Sequence, residues 1–421
     1  MKHTRRVFLG SSLAASTWGV APSDQIRIGL VGCGGISVGD TDAFLAYPEC
    51  EIVAVCDVDD ARIQKTLERL QKLGRKRPDA VKDFRRIVDR KDIDVVLVCT
   101  PDHWHALPTI AALRAGKDVY CEKPLATSIG EGRLMRDVAR EHGRVCQMGT
   151  QWRSGEHYRE AVEIVQSGKI GKVRQVRCWA YLDWIADIGN PPDEPPPAGV
   201  DYDMWLGPAP KRPFNRNRFH FNFRWFWDYA GGLMTDWGVH LINIALWAMG
   251  PGWPRSVVSS GGKYVLRDNS ETPDTQVAIY EFPTYQLIWE HQVQCGLGPD
   301  RREHGVMFTG TEATLVVDAS GWEIFAEPKK RGMIEMKRAA RKDEKVRTLH
   351  VGNFLDCLKS RKPPVENFDI GHHVSAVAHL GNLALRCRSR IEWDGAAERV
   401  TNHEAANALI TAPYRPPWKL G

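Results

Sequence analysis

Short apolar runs alternate with amphipathic stretches between residues 25 and 149, and this alternation restricts the possible folds more than any other feature. Valine, isoleucine and cysteine are frequent in the runs, as is typical of parallel strands that are buried on both faces. Residues 61–73 and 108–115 have the spacing of helices, and Thr127 is predicted to cap a helix that ends near His142. Strands that alternate with helices predict a doubly wound parallel sheet. The predicted strands are 26–31, 52–56, 95–99, 119–121 and 145–148.

After Gln151 the sequence pattern changes, and polar and apolar residues alternate as they do in antiparallel strands. Such strands form a large sheet that can keep one face open. Residues 190–199 contain five prolines and are predicted to be a loop, and helices return at 354–360 and 372–387. We expect a first domain over 24–150 and one α+β domain over 151–421. The predicted strands of the second domain are 173–181, 275–282, 285–291, 305–310 and 314–317.

A glycine-rich turn follows the first predicted strand directly. Gly32, Gly34 and Gly35 permit a tight turn, and with Ile36 they let backbone amides approach a pyrophosphate at a helix start. Asp57 ends the second strand, where its carboxylate can accept both hydroxyls of an adenine ribose. The combination predicts a dinucleotide-binding site, against the alternative of a plain turn. Because the same carboxylate would repel a 2′-phosphate, NAD is favoured over NADP.

The loop after the strand at 95–99 also lies at the carboxyl edge of the sheet, where ligands bind. It contains Thr100, Pro101, His103 and His105, which we predict to contact the cofactor. The two histidines are also a possible metal pair, but no carboxylate or cysteine with ligand spacing joins them, so we predict no metal.

Glu122, Lys123 and Pro124 follow the next strand. The proline forces Lys123 out of the helical region, so its side chain projects from the strand end. There it can donate or accept a proton beside a nicotinamide, and Glu122 is predicted to contact the cofactor. The alternative is an ordinary surface lysine.

Asp236 and His240 are four residues apart, which places them on one face of a predicted helix. A carboxylate in that position can hold the imidazole tautomer and raise its basicity. The alternative is a salt-bridged pair on a solvated helix. The neighbouring residues on this helix are mostly apolar. Charged side chains are unfavourable in such surroundings and are not expected there without a function, so a catalytic role is favoured.

Aromatic residues are concentrated in the same region: nine of the fifteen tryptophans lie between Trp152 and Trp253. Aromatic rings stack on the C–H faces of sugars, but they also fill cores, and the sequence alone supports both interpretations equally. The predicted substrate contacts are Gln151, Trp152, Arg153, Tyr181, Trp227 and Tyr229.

The ten cysteines have no C-x-x-C spacing, which argues against a disulfide scaffold and a zinc site. The net charge is +5, but Lys2, Arg5 and Arg6 account for three of these charges. Nucleic-acid binding therefore has little support.

Residues 1–22 are predicted to be a leader. Thr4 to Leu9 resembles a twin-arginine export motif, and the apolar stretch behind it is too short to span a bilayer. We expect an exported, periplasmic protein with at most a weak membrane tether, or a cytoplasmic one if the signal is not functional.

Together these motifs resemble the glucose–fructose oxidoreductase, inositol dehydrogenase and MocA (Gfo/Idh/MocA) family. The resemblance implies a Rossmann domain with NAD, an open-faced sheet domain that forms dimers or tetramers, and a catalytic set of Lys123, Asp236 and His240. Our mechanistic hypothesis is that His240 takes the hydroxyl proton, Lys123 stabilises the alkoxide and hydride passes to the nicotinamide.

The expected function is NAD(P)-dependent oxidation of a secondary alcohol of a sugar, cyclitol or glycoside. Because no NAD pool is maintained outside the cytoplasm, we expect tightly bound NAD that is regenerated in place. One alternative is a redox-neutral glycoside hydrolase, in which transient oxidation allows elimination of the glycosidic bond. A second alternative is a non-catalytic module that binds NAD or sugar.

Overall fold

A six-stranded parallel sheet forms the N-terminal part of the structure, a computed structural model that describes residues 25–342 and 345–421. The predicted leader, residues 1–22, lies outside the described residues. The strands are β1 (Ile26–Val31), β2 (Cys50–Cys56), β3 (Asp79–Val81), β4 (Val95–Val98), β5 (Asp118–Cys121) and β6 (Cys146–Met148). Their order in the sheet is β3-β2-β1-β4-β5-β6, so the predicted doubly wound parallel sheet is confirmed. The helices that follow these strands are α1 (Gly35–Leu45), α2 (Asp60–Lys72), α3 (Arg85–Val88), α4 (Ala106–Arg114) and α5 (Ile129–Glu141).

Two local predictions differ from the structure. The prediction that Thr127 caps α5 is wrong, because Ser128 accepts the hydrogen bond from the backbone N–H of Glu131. The Ser128 hydroxyl and backbone N–H also donate to the Glu131 carboxylate, so the cap lies one residue later than predicted. The short strand β3 was not predicted, because its three residues are largely exposed and show no apolar run.

A ten-stranded sheet forms the second half of the fold. Its order is β14-β13-β12-β11-β7-β10-β9-β8-β15-β16 when the strands are numbered along the chain. Only β7 and β10 pair in parallel, which is possible because a long connection separates them. The predicted large, mostly antiparallel sheet is thus confirmed. Its strands are β7 (Gln175–Leu182), β8 (Ser256–Gly262), β9 (Thr275–Glu281), β10 (Gln286–Val293), β11 (His304–Thr309), β12 (Ala313–Asp318), β13 (Gly321–Ala326), β14 (Arg338–Ala340), β15 (Ile391–Asp394) and β16 (Arg399–Val400).

Helices cover one face of this large sheet and leave the other face open. The layer against the sheet consists mainly of α6 (Glu156–Gln166), α9 (Gly238–Met249) and α11 (Phe368–Cys387). On the open face Val258, Val277 and Phe325 are more than a third exposed. The remaining helices are α7 (Tyr202–Leu206), α8 (Gly232–Asp236), α10 (Val346–Ser360) and α12 (Glu404–Asn407).

The prediction of one helix carrying both Asp236 and His240 is wrong. Helix α8 ends at Asp236, and α9 begins at Gly238. The backbone N–H of His240 donates to the carbonyl of Trp237. The Asp236 carbonyl, which an α-helix would use for that bond, instead accepts a hydrogen bond from Lys123 Nζ at 3.1 Å. Lys123 therefore binds the carbonyl oxygen that would accept the N–H of His240 in a continuous helix.

Helix α10 returns from the second half of the chain to pack on the first sheet. Phe354 makes edge contacts with Phe44 and Tyr120, and Arg347 forms an ion pair with the buried Asp40. Residues of the 151–421 segment thus complete the core around β1, and that segment does not pack only on its own sheet.

All ten cysteines lie within the described residues as free thiols. Among those residues, no helix is both long and apolar enough to cross a membrane.

Candidate active site

A cavity of about 440 Å³ lies at the carboxyl edge of the parallel sheet. The first domain forms its floor with residues that follow β1, β2, β4 and β5. The second domain forms the opposite wall with Met204 and Trp205 of α7 and with the segment from Phe219 to Arg224. Of the residues predicted to bind cofactor, those on the cavity surface are Gly32, Gly34, Gly35, Ile36, Asp57, Thr100, Pro101, Glu122 and Lys123.

The glycine turn leaves the start of α1 free to bind an anion. Gly32 has φ +95°, and a Cβ there would lie 2.5 Å from the carbonyl carbon of Cys99, so this position requires glycine. Gly34 caps α1 without a side-chain hydrogen bond, and the first turn has no acidic residue. No protein atom lies within 4 Å of a Cβ built on Gly34 or Gly35. This open space beside unpaired backbone N–H groups fits the pyrophosphate of a dinucleotide.

Several carboxyl groups line the cavity, and Asp57 and Glu122 are two of them. Asp57 accepts hydrogen bonds from the backbone N–H groups of Cys33 at 2.7 Å and Asp59 at 3.0 Å, so it holds the glycine turn. Burial raises the pKa of Asp57 to about 6, although these two bonds lower it. Burial and then the nearby Asp40 raise the pKa of Glu122 to about 8. Asp57 is thus the acceptor placed for ribose hydroxyls.

Lys123 and Asp236 form an ion pair between the two domains. Lys123 Nζ lies 2.5 Å from Asp236 Oδ1, and the two side chains are 11% and 12% exposed. Arg224 Nε donates to the same oxygen at 3.2 Å. Burial alone would raise the pKa of Asp236, but the charges of Lys123 and Arg224 hold it well below its usual range. Asp236 is therefore an anion that fixes the position of the lysine ammonium.

His240 lies beside this ion pair as a neutral imidazole. Burial, and then the charge of Lys123, lower its pKa well below the usual value. Its Nδ1 atom is buried and has no hydrogen-bond partner among the described residues. Asp236, which was predicted to hold the tautomer of this ring, instead accepts hydrogen bonds from Lys123 and Arg224 through Oδ1. The ring contacts Trp152, with centroids 4.9 Å apart.

The two histidines of the 100–105 loop do not line the cavity. His103 Nε2 lies 2.9 Å from the Trp205 carbonyl, and His105 Nδ1 lies 2.7 Å from the Pro124 carbonyl. Burial lowers the pKa of each to about 4. Both histidines therefore bind backbone carbonyls in the protein interior. The sequence analysis, in contrast, predicted that they contact the cofactor. No cluster of three or more metal-ligand side chains occurs in residues 25–342 and 345–421.

Of the predicted substrate contacts, Trp152 is the one whose ring lies against His240. The neighbouring Gln151 is half-buried in the same 3₁₀ turn. Arg153 turns away to the Asn243 side chain at 2.9 Å. Tyr181 hydrogen-bonds Glu290 at 3.4 Å, a residue that also pairs with Arg177 on the large sheet.

The last two predicted contacts also lie elsewhere. The Trp227 indole donates to the Glu271 carbonyl, and Tyr229 is fully buried between His103 and Trp205. The aromatic cluster is therefore largely core, because its rings pack on each other.

Several cavity residues were not assigned to the site from the sequence. Arg224 and His220 lie in the 3₁₀ segment His220–Trp225, and His220 Nε2 contacts Asp59 Oδ2 at 3.1 Å. Asp102 borders the cavity beside the Lys123 pair, and burial raises its pKa to about 7. Such turns have no periodic signal in the sequence that would assign their residues to a site.

Models of known protein families match most of the chain. Residues 26–150 match the oxidoreductase family description "NAD-binding Rossmann fold". Residues 162–251 and 333–420 match that family's C-terminal alpha/beta domain, and 211–316 match the GFO/IDH/MocA C-terminal domain. The chain belongs to the Gfo/Idh/MocA oxidoreductase family. Its Rossmann domain is therefore an NAD-binding domain, as predicted.

Curated relatives match only part of their own length. A levoglucosan dehydrogenase of Pseudarthrobacter phenanthrenivorans is 29% identical over 172 residues, which cover 40% of this chain and 44% of the relative. A glycosyl hydrolase family 109 protein of Shewanella sp. (strain ANA-3) is 28% identical over 159 residues, 37% of this chain and 35% of the relative. A solved levoglucosan dehydrogenase in complex with NADH and levoglucosan aligns with TM-score 0.69 and 18% identity, over 87% of this chain and 99% of that one. This structural similarity supports the fold described above, a parallel Rossmann sheet followed by a large, mostly antiparallel sheet.

Substitution of two glycines separates folding from cofactor binding. In Gly34→Ala the new methyl meets no protein atom, so we expect free-protein stability within about 0.5 kcal/mol of wild type. The methyl would occupy the space beside the pyrophosphate, so NAD affinity should fall at least about tenfold. In Gly32→Ala the methyl clashes with Cys99, so both properties should be lost. Thermal unfolding and calorimetric titration with NAD measure the two effects, and wild-type NAD affinity in Gly34→Ala would contradict this site.

Proposed function

We propose that this protein is an NAD-dependent oxidoreductase that acts on a secondary alcohol of a sugar, cyclitol or glycoside. The observation that carries the proposal is the arrangement of Lys123, Asp236 and His240. The ammonium of Lys123 lines a cavity that fits a dinucleotide, and the neutral imidazole of His240 lies beside the Lys123–Asp236 pair. The similarity to levoglucosan dehydrogenase supports a carbohydrate substrate.

The first domain supplies the groups that would hold NAD. The free N–H groups at the start of α1 would bind the pyrophosphate, and Asp57 would accept the ribose hydroxyls. The same carboxylate disfavours the 2′-phosphate of NADP. When bound, NAD supplies a hydride acceptor at its nicotinamide ring.

The catalytic residues have separate roles in this proposal. His240 is neutral, so it can accept the proton of the substrate hydroxyl. Lys123 stabilises the negative charge that develops on the substrate oxygen. Asp236 and Arg224 do not exchange protons, because the carboxylate is held ionised by two cations and serves to position Lys123. A positioned acid or base contributes about 10²- to 10⁴-fold to such a rate.

A redox-neutral glycosidase is the second candidate. The similarity to a glycosyl hydrolase family 109 protein favours it. Transient oxidation of a sugar hydroxyl would acidify the neighbouring C–H, so that the glycosidic bond could be lost by elimination. Water addition and reduction of the carbonyl would then leave the cofactor unchanged overall. This candidate uses the same His240 and Lys123.

One experiment distinguishes the two functions. Protein that carries NAD is mixed with a panel of sugars and polyols and, separately, with aryl glycosides, while NADH absorbance and aglycone release are followed. The first proposal predicts NADH in amounts up to the bound cofactor, without aglycone. Many equivalents of aglycone without net NADH would establish the second. If the panel yields neither product, or if a Lys123→Met control is equally active, both proposals are contradicted.

Export and self-association are proposed on separate grounds. The twin-arginine pattern over residues 1–22 supports a periplasmic location, with at most a weak membrane tether. The exposed Val258, Val277 and Phe325 on the open sheet face support a homodimer or homotetramer. Cell fractionation and sedimentation velocity measure the two properties. Recovery in the cytoplasm, or a monomer in solution, would contradict the respective proposal.

A further inference from the structure

Trp104 connects the two walls of the dinucleotide cavity. It lies in the 100–105 loop of the first domain and lines the cavity. Its indole N–H donates to the carbonyl of Trp205 in α7 at 2.9 Å. Its ring rests on Gly207, where φ is +50° and any Cβ would overlap the indole. The position of this ring therefore fixes how α7 approaches the first domain.

The C-terminal segment 413–420, here called the strap, covers the other side of Trp104. The Trp418 ring meets Trp104 edge-on, with centroids 4.9 Å apart and planes at 80°. Arg85 of the first domain lies over the Trp418 ring at 5.7 Å. Trp418 and Leu420 pack against the core of the first domain. The Trp104 ring is thus held between Gly207 and the strap.

Arg415 of the strap holds α7 from the outside. Its guanidinium donates to the Asp203 carboxylate at 2.7 Å, to the Asp203 carbonyl at 2.9 Å and to the Gly207 carbonyl at 3.0 Å. Its backbone N–H donates to the Pro208 carbonyl at 2.9 Å. The acceptors of these four bonds lie in the sequence on either side of Met204 and Trp205. Met204 and Trp205 are the two α7 residues that line the cavity.

A third contact ties the strap to the first domain. The Tyr414 hydroxyl donates to the carboxylate of Glu131 on α5 at 2.5 Å. The strap therefore contacts both the first domain and α7, which form opposite walls of the cavity. Separation of α7 from Trp104 would require that the Arg415 or Trp418 contacts break first.

We propose that the strap retains the dinucleotide, with Arg415 and Trp418 acting as positioning residues that keep α7 closed against Trp104. This inference rests on the proposed NAD-dependent function and on the expectation that NAD is tightly bound and regenerated in place. Neither residue lines the cavity, so their effect on the cofactor must pass through Trp104 and α7. The strap should therefore slow cofactor release without contributing a direct contact.

The test is the dissociation rate of NADH from the full-length protein. Protein loaded with NADH is mixed with excess NAD in a stopped-flow instrument, and the loss of NADH fluorescence is followed. Trp418→Ala and Arg415→Ala should each release NADH at least about tenfold faster than wild type. The matched control is Arg390→Ala, which removes an arginine paired with Glu281 at a distant sheet edge and should release NADH at the wild-type rate.

Further measurements separate retention from a general loss of structure. Arg415→Lys keeps a charge near Asp203 but loses the planar fork that also reaches the Gly207 carbonyl, so its rate should be intermediate. Both alanine variants lose strap contacts in the cofactor-free protein as well, so its melting temperature should fall, and the melting temperature of the NADH-loaded form should fall further. Wild-type NADH release in both alanine variants would overturn the inference, as would equal destabilisation of the free and loaded forms.

Failure of the proposed function would look different. If the wild-type protein itself exchanged NADH rapidly, cofactor residence would be refuted. The ratio of variant to wild-type dissociation rates would still report whether the strap acts on the cavity.

Discussion

The buried ion pair between Lys123 and Asp236 is the contact on which the rest of the site depends. Lys123 follows β5 of the Rossmann domain, and Asp236 ends α8 of the second domain. Two charges removed from water must be paired, because an unpaired buried charge is strongly destabilising. The pair therefore fixes the relative position of the domains where the cavity lies. The lysine also takes the Asp236 carbonyl, which ends α8 and separates it from the helix that carries His240.

Charge and burial together set the protonation of the site. Lys123 and Arg224 hold the pKa of Asp236 low, so it remains ionised, whereas burial and then the charge of Lys123 lower the pKa of His240, so it remains neutral. The Asp236 carboxylate thus pairs with two cations. It does not orient His240 directly. This arrangement gives a base and a cation from the same group of side chains, as the proposed alcohol chemistry requires.

The sequence allowed the parallel sheet and its strand-end motifs to be predicted, because buried strands and glycine turns leave local signals. Gly32, Asp57 and Lys123 all lie on the cavity for this reason. The signals failed where a contact joins residues distant in the chain. The bond from Lys123 to the Asp236 carbonyl is such a contact, and it made the helix prediction wrong. His103 and His105 were misassigned because a loop histidine gives no indication of which carbonyl its ring will meet.

Segments far apart in the chain close the cavity. Helix α10 completes the core behind the glycine turn, and the strap holds α7 against Trp104. Neither contact could be predicted, since both depend on long-range packing. Together with the wall from Phe219 to Arg224, they enclose the cavity between two domains. An enclosed cofactor suits a protein proposed to work where free NAD is not maintained.

The most direct test of the account is a comparison of chemistry and cofactor binding in His240→Asn. The rate at which the best sugar substrate reduces bound NAD should fall by about 10²- to 10⁴-fold, because the neutral base is removed. The dissociation constant for NAD should remain at the wild-type value, since His240 does not line the dinucleotide cavity. An equal loss of rate and NAD affinity would assign His240 a structural role, and an unchanged rate would exclude it as the base.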